Sequence, residues 1–235
     1  MYGKDFCKIY NELGWNYYSE TFGEQLKIWL KNMGVNPVSF LDIGCGTGVL
    51  CRIMRDMGLK IKGIDLSKNM IEIAKKNCPG ANFVVADMVT YQPEEKVDLV
   101  TCTCDALNHL SDISLVDTMI HNVFNYITPG GYFIFDILNG QEGHDETPFE
   151  LAKDGDRRIL LQITKNRQIT TLHVYTYEGE NLLHEEKVVE TFYEPSLISD
   201  ILLSAGFDNI TCNDSLNPTH PGHGTALFFT AQKPL

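Results

Sequence analysis

The chain has 235 residues, 43% of them hydrophobic and 21% charged, with 31 acidic against 19 basic residues and a formal charge of −12. That is enough chain to bury a sizeable core as one large domain, or one domain with a small appendage, and the charge opposes loose binding to DNA, RNA or an anionic membrane. Seven scattered cysteines without a C-x-x-C pair, no secretory signal and no apolar run of membrane-spanning length point to a reducing cytoplasm and small-molecule partners.

Apolar side chains at helical intervals predict a short helix over residues 5–13, broken at Gly14, and a second from about Tyr18 through Phe22, Leu26, Trp29 and Leu30 to Gly34. The aromatics Tyr10, Trp15, Tyr17 and Tyr18 serve packing or a dimer surface in one reading and a lid in the other. The run Val38-Ser39-Phe40 then leads into Leu41-Asp42-Ile43-Gly44-Cys45-Gly46-Thr47-Gly48, after which Val49, Leu50, Ile53, Met54 and Met57 recur at helical spacing. This reads as strand, tight turn, helix. Glycine adopts positive φ and has no Cβ, so backbone amides at such a turn approach a ligand closely, and the helix that follows begins with unpaired N–H groups. The competing reading is a loop that merely packs helix on strand. A dinucleotide fingerprint needs glycine where Val49 stands, and a phosphate-binding loop needs a Gly-Lys-Ser/Thr triplet that is missing.

Residues 60–64 form a second short strand ending at Asp65, about one β-α-β step after Asp42. A carboxylate there can accept hydrogen bonds from both hydroxyls of a ribose, or cap the next helix, although Ser67 already supplies a cap. A helix over 68–77 turns Met70, Ile71 and Ala74 inward, and a strand over 82–86 delivers Asp87 and Met88. A fourth strand, 96–102, runs into Thr103-Cys104-Asp105-Ala106-Leu107-Asn108-His109-Leu110, at the sheet end where doubly wound folds bind ligands. Cys102 and Cys104, two apart on an extended segment, share a face and would suit a metal pair, but no complementary Cys or His pair stands nearby, which favours small packing residues. His109 is a candidate base with a pKa near neutrality, or else a histidine hydrogen-bonded at a helix start. An amphipathic helix over 113–126 is ended by Thr128-Pro129-Gly130-Gly131, and 132–137 is apolar on both sides, as a central parallel strand should be. Asp136 and Asn139 emerge at its end, as contacts for an acceptor or as strand-end caps.

The pattern then changes to a polar loop over 140–148 and three alternating stretches, 158–165, 169–177 and 182–191, which predict an antiparallel meander. His173, His184, Glu185 and Glu186 read as surface strand residues. A helix over 197–205 is closed by Gly206, and 207–212 with 225–231 form a last antiparallel pair. His220 and His223 between them could grip a metal, but their Pro- and Gly-rich setting makes a turn, no third ligand is in view, and no metal is expected.

Asp42, Gly44, Gly46 and Gly48 together resemble the D-x-G-x-G-x-G first motif of the class I methyltransferases that use S-adenosylmethionine. Residues 105–109, with Asp105, Asn108 and His109 in order, resemble the D-S-x-N-Y fourth motif of small-molecule members, His109 replacing the aromatic. Residues 128–131 resemble the L-x-P-G-G turn, and 6–13 the F-A-x-x-Y-D-x-L opening of an N-terminal lid, with Asn11 in place of the acid.

The resemblance implies an α/β fold: a doubly wound, mostly parallel seven-stranded sheet with helices on both faces, the last strand antiparallel, plus the small β insert. It implies a lid at 1–35, a core at 36–140 and 194–235, and an insert at 141–193 that caps the acceptor or makes a dimer contact in a monomer or homodimer. It implies S-adenosylmethionine held by Asp42, Gly44, Cys45, Gly46 and Gly48 at the turn, Asp65 on the ribose, Leu66, Met70 and Met88 as apolar contacts, Asp87 on the adenine amine, and Thr103 and Cys104 near the reactive end. His109 and Tyr10 are the candidate catalytic residues. The expected activity is methyl transfer to a small-molecule nitrogen or oxygen; a protein or tRNA methyltransferase, a non-catalytic nucleoside-binding module and a dehydrogenase are the alternatives.

Overall fold

The computed structural model describes residues 7, 10, 14, 16–140, 147–217 and 226–235. Trp15, Asn11, most of the first expected helix, and the loop carrying His220 and His223 lie outside the described residues. In chain order come α1 (Asn16–Met33), β1 (Ser39–Ile43), α2 (Val49–Asp56), β2 (Lys60–Asp65), α3 (Lys68–Asn77), β3 (Asn82–Val85) and β4 (Val97–Cys102). A 3-10 turn (Ala106–His109), α4 (Ile113–Tyr126) and β5 (Ile127–Leu138) follow. The insert contributes β6 (Phe149–Asp154), β7 (Arg157–Asn166), β8 (Ile169–Glu178) and β9 (Asn181–Thr191), and the chain closes with α5 (Pro195–Ala205), β10 (Asp208–Asn213) and β11 (Ala226–Gln232).

Seven strands form one sheet in the order β10-β11-β5-β4-β1-β2-β3. β1 pairs in parallel with β2 and with β4, whereas β11 runs antiparallel to both β5 and β10, so the closing pair and the doubly wound order are as the sequence predicts. Strand alternation sorts the side chains into two layers. Leu41, Ile43, Val100 and Phe133 face α4 and α5, packing with Val116, Met119, Ile120 and Leu202. Phe40, Leu99 and Ile134 face α1, α2 and α3, packing with Leu26, Trp29, Leu50 and Met54. Each fully buried side chain of this size contributes about 1.5–3 kcal/mol, so both helical layers are held on by the sheet rather than by their own propensity.

Two expectations differ from the structure. Residues 128–131 do not separate α4 from the strand but bulge within β5, whose register against β4 jumps from Val97↔Ile127 to Leu99↔Tyr132. Gly131 allows the bulge to close, since a Cβ there would sit 2.7 Å from the Asp98 carbonyl oxygen. The insert has a fourth strand, β6, in the order β6-β7-β8-β9. Its sequence, Phe-Glu-Leu-Ala-Lys-Asp, lacks any β-branched residue and gives no strand signal of its own; pairing with β7 imposes the conformation. Among the described residues no helix is long and apolar enough to cross a membrane, and no three His, Cys, Asp or Glu side chains gather as a metal site.

Candidate active site

The chain steps from β1 outward to β2 and β3, then returns to place β4 on the other side of β1. That reversal opens a crevice at the carboxyl ends of the strands. A cavity of about 380 Å³ lies there, of a size suited to a small ligand. Gly44, Gly46, Asp65, Leu66, Met70, Asp87, Met88, Thr103, Cys104, His109 and Tyr10 all border it, so one wall collects residues spread across the sequence from the N-terminal segment to the fourth strand. Asp42, Cys45 and Gly48 do not border it, and each has a structural reason.

Asp42 shares the α2-facing side of β1 with Phe40, because side chains alternate along the strand. Its carboxylate is 3% exposed, accepts a 2.7 Å hydrogen bond from the hydroxyl of Thr101, its register partner on β4, and accepts a longer one from the Cys51 thiol. Burial pushes its pKa up to about 7 against the opposing effect of those two donors. Cys45 is buried beneath the turn beside Gly63 and packs in the same layer as Phe40 and Leu50. Gly48, with φ 77°, heads α2, and a Cβ there would meet the Ala74 Cβ at 2.9 Å, so its smallness lets α3 pack against the turn. Gly44, with φ 69°, abuts the 3-10 turn in the same way, its missing Cβ 2.8 Å from that of Ala106.

Asp65 ends β2 and ties the turn together, its oxygens accepting from the Gly46 amide at 2.9 Å and the Ser67 amide at 2.7 Å. Burial raises its pKa, and the two amides lower it in part. A carboxylate has about four acceptor sites, so these two bonds leave room for the paired hydroxyls of a ribose. Ser67 performs the helix cap expected of it, accepting from the Met70 amide, and its hydroxyl also meets the Cys7 thiol at 3.7 Å. Asp87 is exposed at the end of β3, where it accepts from the Val89 amide at 2.8 Å.

β4 ends at Cys102, and Cys104 and Asp105 both adopt left-handed backbone, φ 62° and 57°. Cys104 has therefore left the strand, so the two cysteines do not present a common strand face: Cys102 is in the core and Cys104 borders the cavity. Two successive non-glycine residues in this region cost roughly 1–3 kcal/mol each unless something holds them. Asp136 does. Fully buried on β5, it accepts from the Cys104 amide at 3.2 Å, the Asp105 amide at 3.1 Å and the Tyr18 hydroxyl of α1. It does not border the cavity, so its part is to brace the turn, nearer the strand-end cap than an acceptor contact. Burial raises the pKa of both Asp136 and Asp105, and the two acids raise it further in Asp105 by mutual repulsion. Tyr10 packs against the inner face of the insert and its hydroxyl meets the Cys104 sulfur at 3.7 Å.

Asn108, fully buried, accepts from the Leu138 amide at 3.1 Å and donates to the Thr191 carbonyl at 2.7 Å. It thereby clasps the chain where the insert leaves β5 and where it returns. His109 follows with Nδ1 3.4 Å from the Val189 carbonyl, and burial lowers its pKa, keeping the ring neutral near neutral pH. Residues 186–189 of β9 complete the cavity. Glu186 is consequently not a surface residue; it faces the cavity and holds His184 at 3.1 Å. Its strand carries polar residues on both faces, so alternation alone does not reveal which face is inward.

Comparison with known proteins bears on the fold. A family model described as "Methyltransferase domain" matches residues 40–131. The YqeM protein of Bacillus subtilis (strain 168), provisionally classed as a methyltransferase, is 25% identical over 99% of this chain and 98% of its own length. A crystal structure of an S-adenosylmethionine-dependent methyltransferase from Clostridium acetobutylicum ATCC 824 shares the fold with a TM-score of 0.82 at 20% identity, over 98% of both chains. The chain carries a methyltransferase domain and has the fold of the class I S-adenosylmethionine-dependent methyltransferases. The fold of this methyltransferase is also that of CalS10, an amino pentose methyltransferase from Micromonospora echinaspora solved with S-adenosylmethionine bound, with a TM-score of 0.76 at 16% identity over 99% of this chain and 98% of that one.

Proposed function

We propose that this methyltransferase acts on a small-molecule nitrogen or oxygen nucleophile, and that the cavity beside the glycine turn holds both substrates. The observation that carries the reading is the convergence of Gly44, Gly46, Asp65 and Asp87 with Tyr10, Thr103, Cys104 and His109 around one cavity. Asp65 holds the ribose hydroxyls, Leu66, Met70 and Met88 sandwich the adenine, and Asp87 meets its exocyclic amine. Gly44 and Gly46 lie along the methionine portion, with their amides free of side-chain bulk. Asp42, Cys45 and Gly48 support the turn from behind and make no contact with the ligand.

S-adenosylmethionine supplies a methyl group already activated by the sulfonium. The chain's residues therefore need to bind, align and desolvate the acceptor, and alignment alone provides much of the acceleration of an in-line displacement. His109 stays neutral and takes a proton from the acceptor where one must leave, while Tyr10 and the inner face of the insert close the opposite side. A concave cavity of about 380 Å³ has the size of a small-molecule site, and the −12 charge works against RNA. CalS10, an amino pentose methyltransferase, shares the fold along nearly the full length of both chains.

The test is calorimetry with S-adenosylmethionine, S-adenosylhomocysteine and NAD, followed by mass-spectrometric detection of methylated products from a panel of amines and alcohols. Binding of the first two with a methylated product supports the reading. Tighter binding of NAD overturns it, and nucleoside binding without any turnover reduces the protein to a binding module.

A further inference from the structure

A second cavity, of about 930 Å³, lies between the last turns of α1 and the closing hairpin of β10 and β11, and shares no described residue with the first. The sheet outruns its cover here. β10 is the edge strand with nearly all its side chains exposed, whereas α1 packs on the two strands beside it, Phe22 on Phe228 of β11 and Trp29 on Tyr132 of β5. Tyr132, Phe228 and Thr230 make the floor of the resulting groove, with Thr211 of β10 bonded to Thr230 through their hydroxyls at 2.8 Å. Trp29 and Met33 form one bank, and the turn over 214–217 closes an end, tied to α1 by the Asn217 amide, which donates to the Gln25 carbonyl at 2.9 Å.

The free polar groups of this groove are donors. Trp29 and Tyr132 are each 8% exposed and meet edge to face, their ring centroids 5.1 Å apart. Neither the indole N–H nor the phenol hydroxyl has a hydrogen-bond partner among the described residues, and neither is sealed from solvent as the Thr176 hydroxyl is, so both open on the groove their rings line. The exposed amides of Asn32 on α1 and Asn213 on β10 border it from opposite sides, likewise unengaged. An indole can only donate, and burial, with the charge of Asp208 nearby, pushes the Tyr132 pKa up and keeps its proton in place. No described residue lining the groove is basic, and Asp214 stands at its rim, so an anionic occupant is disfavoured.

An occupant that fits must bring acceptors and apolar surface together, tolerate an acidic rim, and be elongated, since Asn209 to Asn213 of β10 runs about 13 Å along the groove. A proline-rich chain in the polyproline II conformation meets these demands. Its carbonyls make no internal hydrogen bonds, its rings are apolar and carry no N–H, and at about 3.1 Å per residue roughly four residues cover that length. We propose that the groove between α1 and β10 docks a proline-rich segment of a partner protein with basic residues at its flanks. The proline rings lie against Trp29, Tyr132 and Phe228, the segment's carbonyls accept from Trp29, Tyr132, Asn32 and Asn213, and the basic flank meets Asp214. The docking surface is independent of how the cavity beside the glycine turn is read.

The Trp29 indole N–H reports occupancy, because the chain has two tryptophans and Trp29→Phe assigns the resonance. The isotope-labelled full chain is titrated with a polyproline peptide carrying an arginine at each end, and with a glycine-serine peptide of the same length and charge. The proline peptide is expected to move the Trp29 resonance saturably and to bind about tenfold or more tightly than the flexible one, which must lose more freedom to dock. Tyr132→Phe, Asn213→Ala and Asp214→Lys should each weaken it by about threefold or more, with the amide spectrum away from the groove unchanged; Asn213 and Asp214 are exposed, so the last two variants leave the core intact. No saturable shift with the proline peptide overturns the proposal. An equal response to both peptides reduces the groove to an acidic patch, unchanged affinity in Tyr132→Phe and Asn213→Ala puts the peptide elsewhere, and saccharides that move the resonance where the proline peptide does not make this a small-molecule site; each of these overturns it as well.

Discussion

Replacing Asp42 with Asn separates a structural acid from a ligand-binding one. The buried carboxyl keeps its proton up to about pH 7 in the folded chain, whereas in the unfolded chain an aspartate releases it near pH 4. Between those values the folded state holds more protons than the unfolded one, so Asp42's contribution is most favourable in acid and is lost as pH rises through the folded pKa. Each pH unit in that window is worth about 1.4 kcal/mol, so between about pH 5 and pH 8 the wild type should lose on the order of 3 kcal/mol relative to Asp42→Asn. Asparagine keeps an oxygen for the Thr101 hydroxyl but turns an N–H toward Cys51 where the thiol now donates. That mismatch shifts the variant's stability by an amount independent of pH, so the slope is the readout and not the offset. The other buried acids titrate in both proteins and cancel in the difference. Urea denaturation of both proteins across this range provides the measurement, with calorimetry for S-adenosylhomocysteine expected to give the same affinity for each. Parallel stability curves, or a variant that folds but no longer binds the nucleoside, would refute the assignment of Asp42 to the core.

Three further outcomes follow from the site. Gly48→Ala is expected to cost about 2–4 kcal/mol, combining left-handed backbone with a Cβ 2.9 Å from Ala74, and to lower the thermal midpoint; an unchanged midpoint removes the packing argument. Asp65→Ala should weaken S-adenosylhomocysteine binding by about tenfold or more, since it removes a charged acceptor from the ribose as well as the brace on Gly46, whereas equal affinity in calorimetry would move the ribose elsewhere. Tyr18→Phe takes one donor from the buried Asp136 carboxylate and should destabilise by about 1–3 kcal/mol, with faster hydrogen exchange at the Cys104 and Asp105 amides. Slower or equal exchange there would show that Asp136 does not hold the turn.

Much of the architecture was legible because its signals are local. The turn glycines, Asp65 at a strand end and Ser67 at a helix start each announce themselves within a few residues, and all are found where the pattern puts them. Asp42 was legible as a strand-end acid but not in its direction, because whether it faces cavity or core depends on which layer Phe40 joins, a fact of tertiary packing. Asp136 read as a cap or an acceptor contact for the same reason; its role as a brace needs Tyr18 and two backward-turned amides brought from distant parts of the chain. Glu186 was hidden by a strand with polar residues on both faces, and β6 by a sequence with no preference for extension. The cavity's far wall was therefore the part least readable from sequence, since it comes from a sheet that finds its orientation only by docking.

That far wall hangs from a single amide. Because Asn108 grips both Leu138 and Thr191, the excursion over residues 139–190 is a closed loop whose ends are fixed next to His109, however long or varied its interior becomes. Loop-closure entropy grows only slowly with length, so residues can be added to or exchanged in the meander at little thermodynamic expense while its stems hold their station. A chain built this way can renew the surface that greets an acceptor, strand by strand, and leave the nucleoside half of the cleft undisturbed.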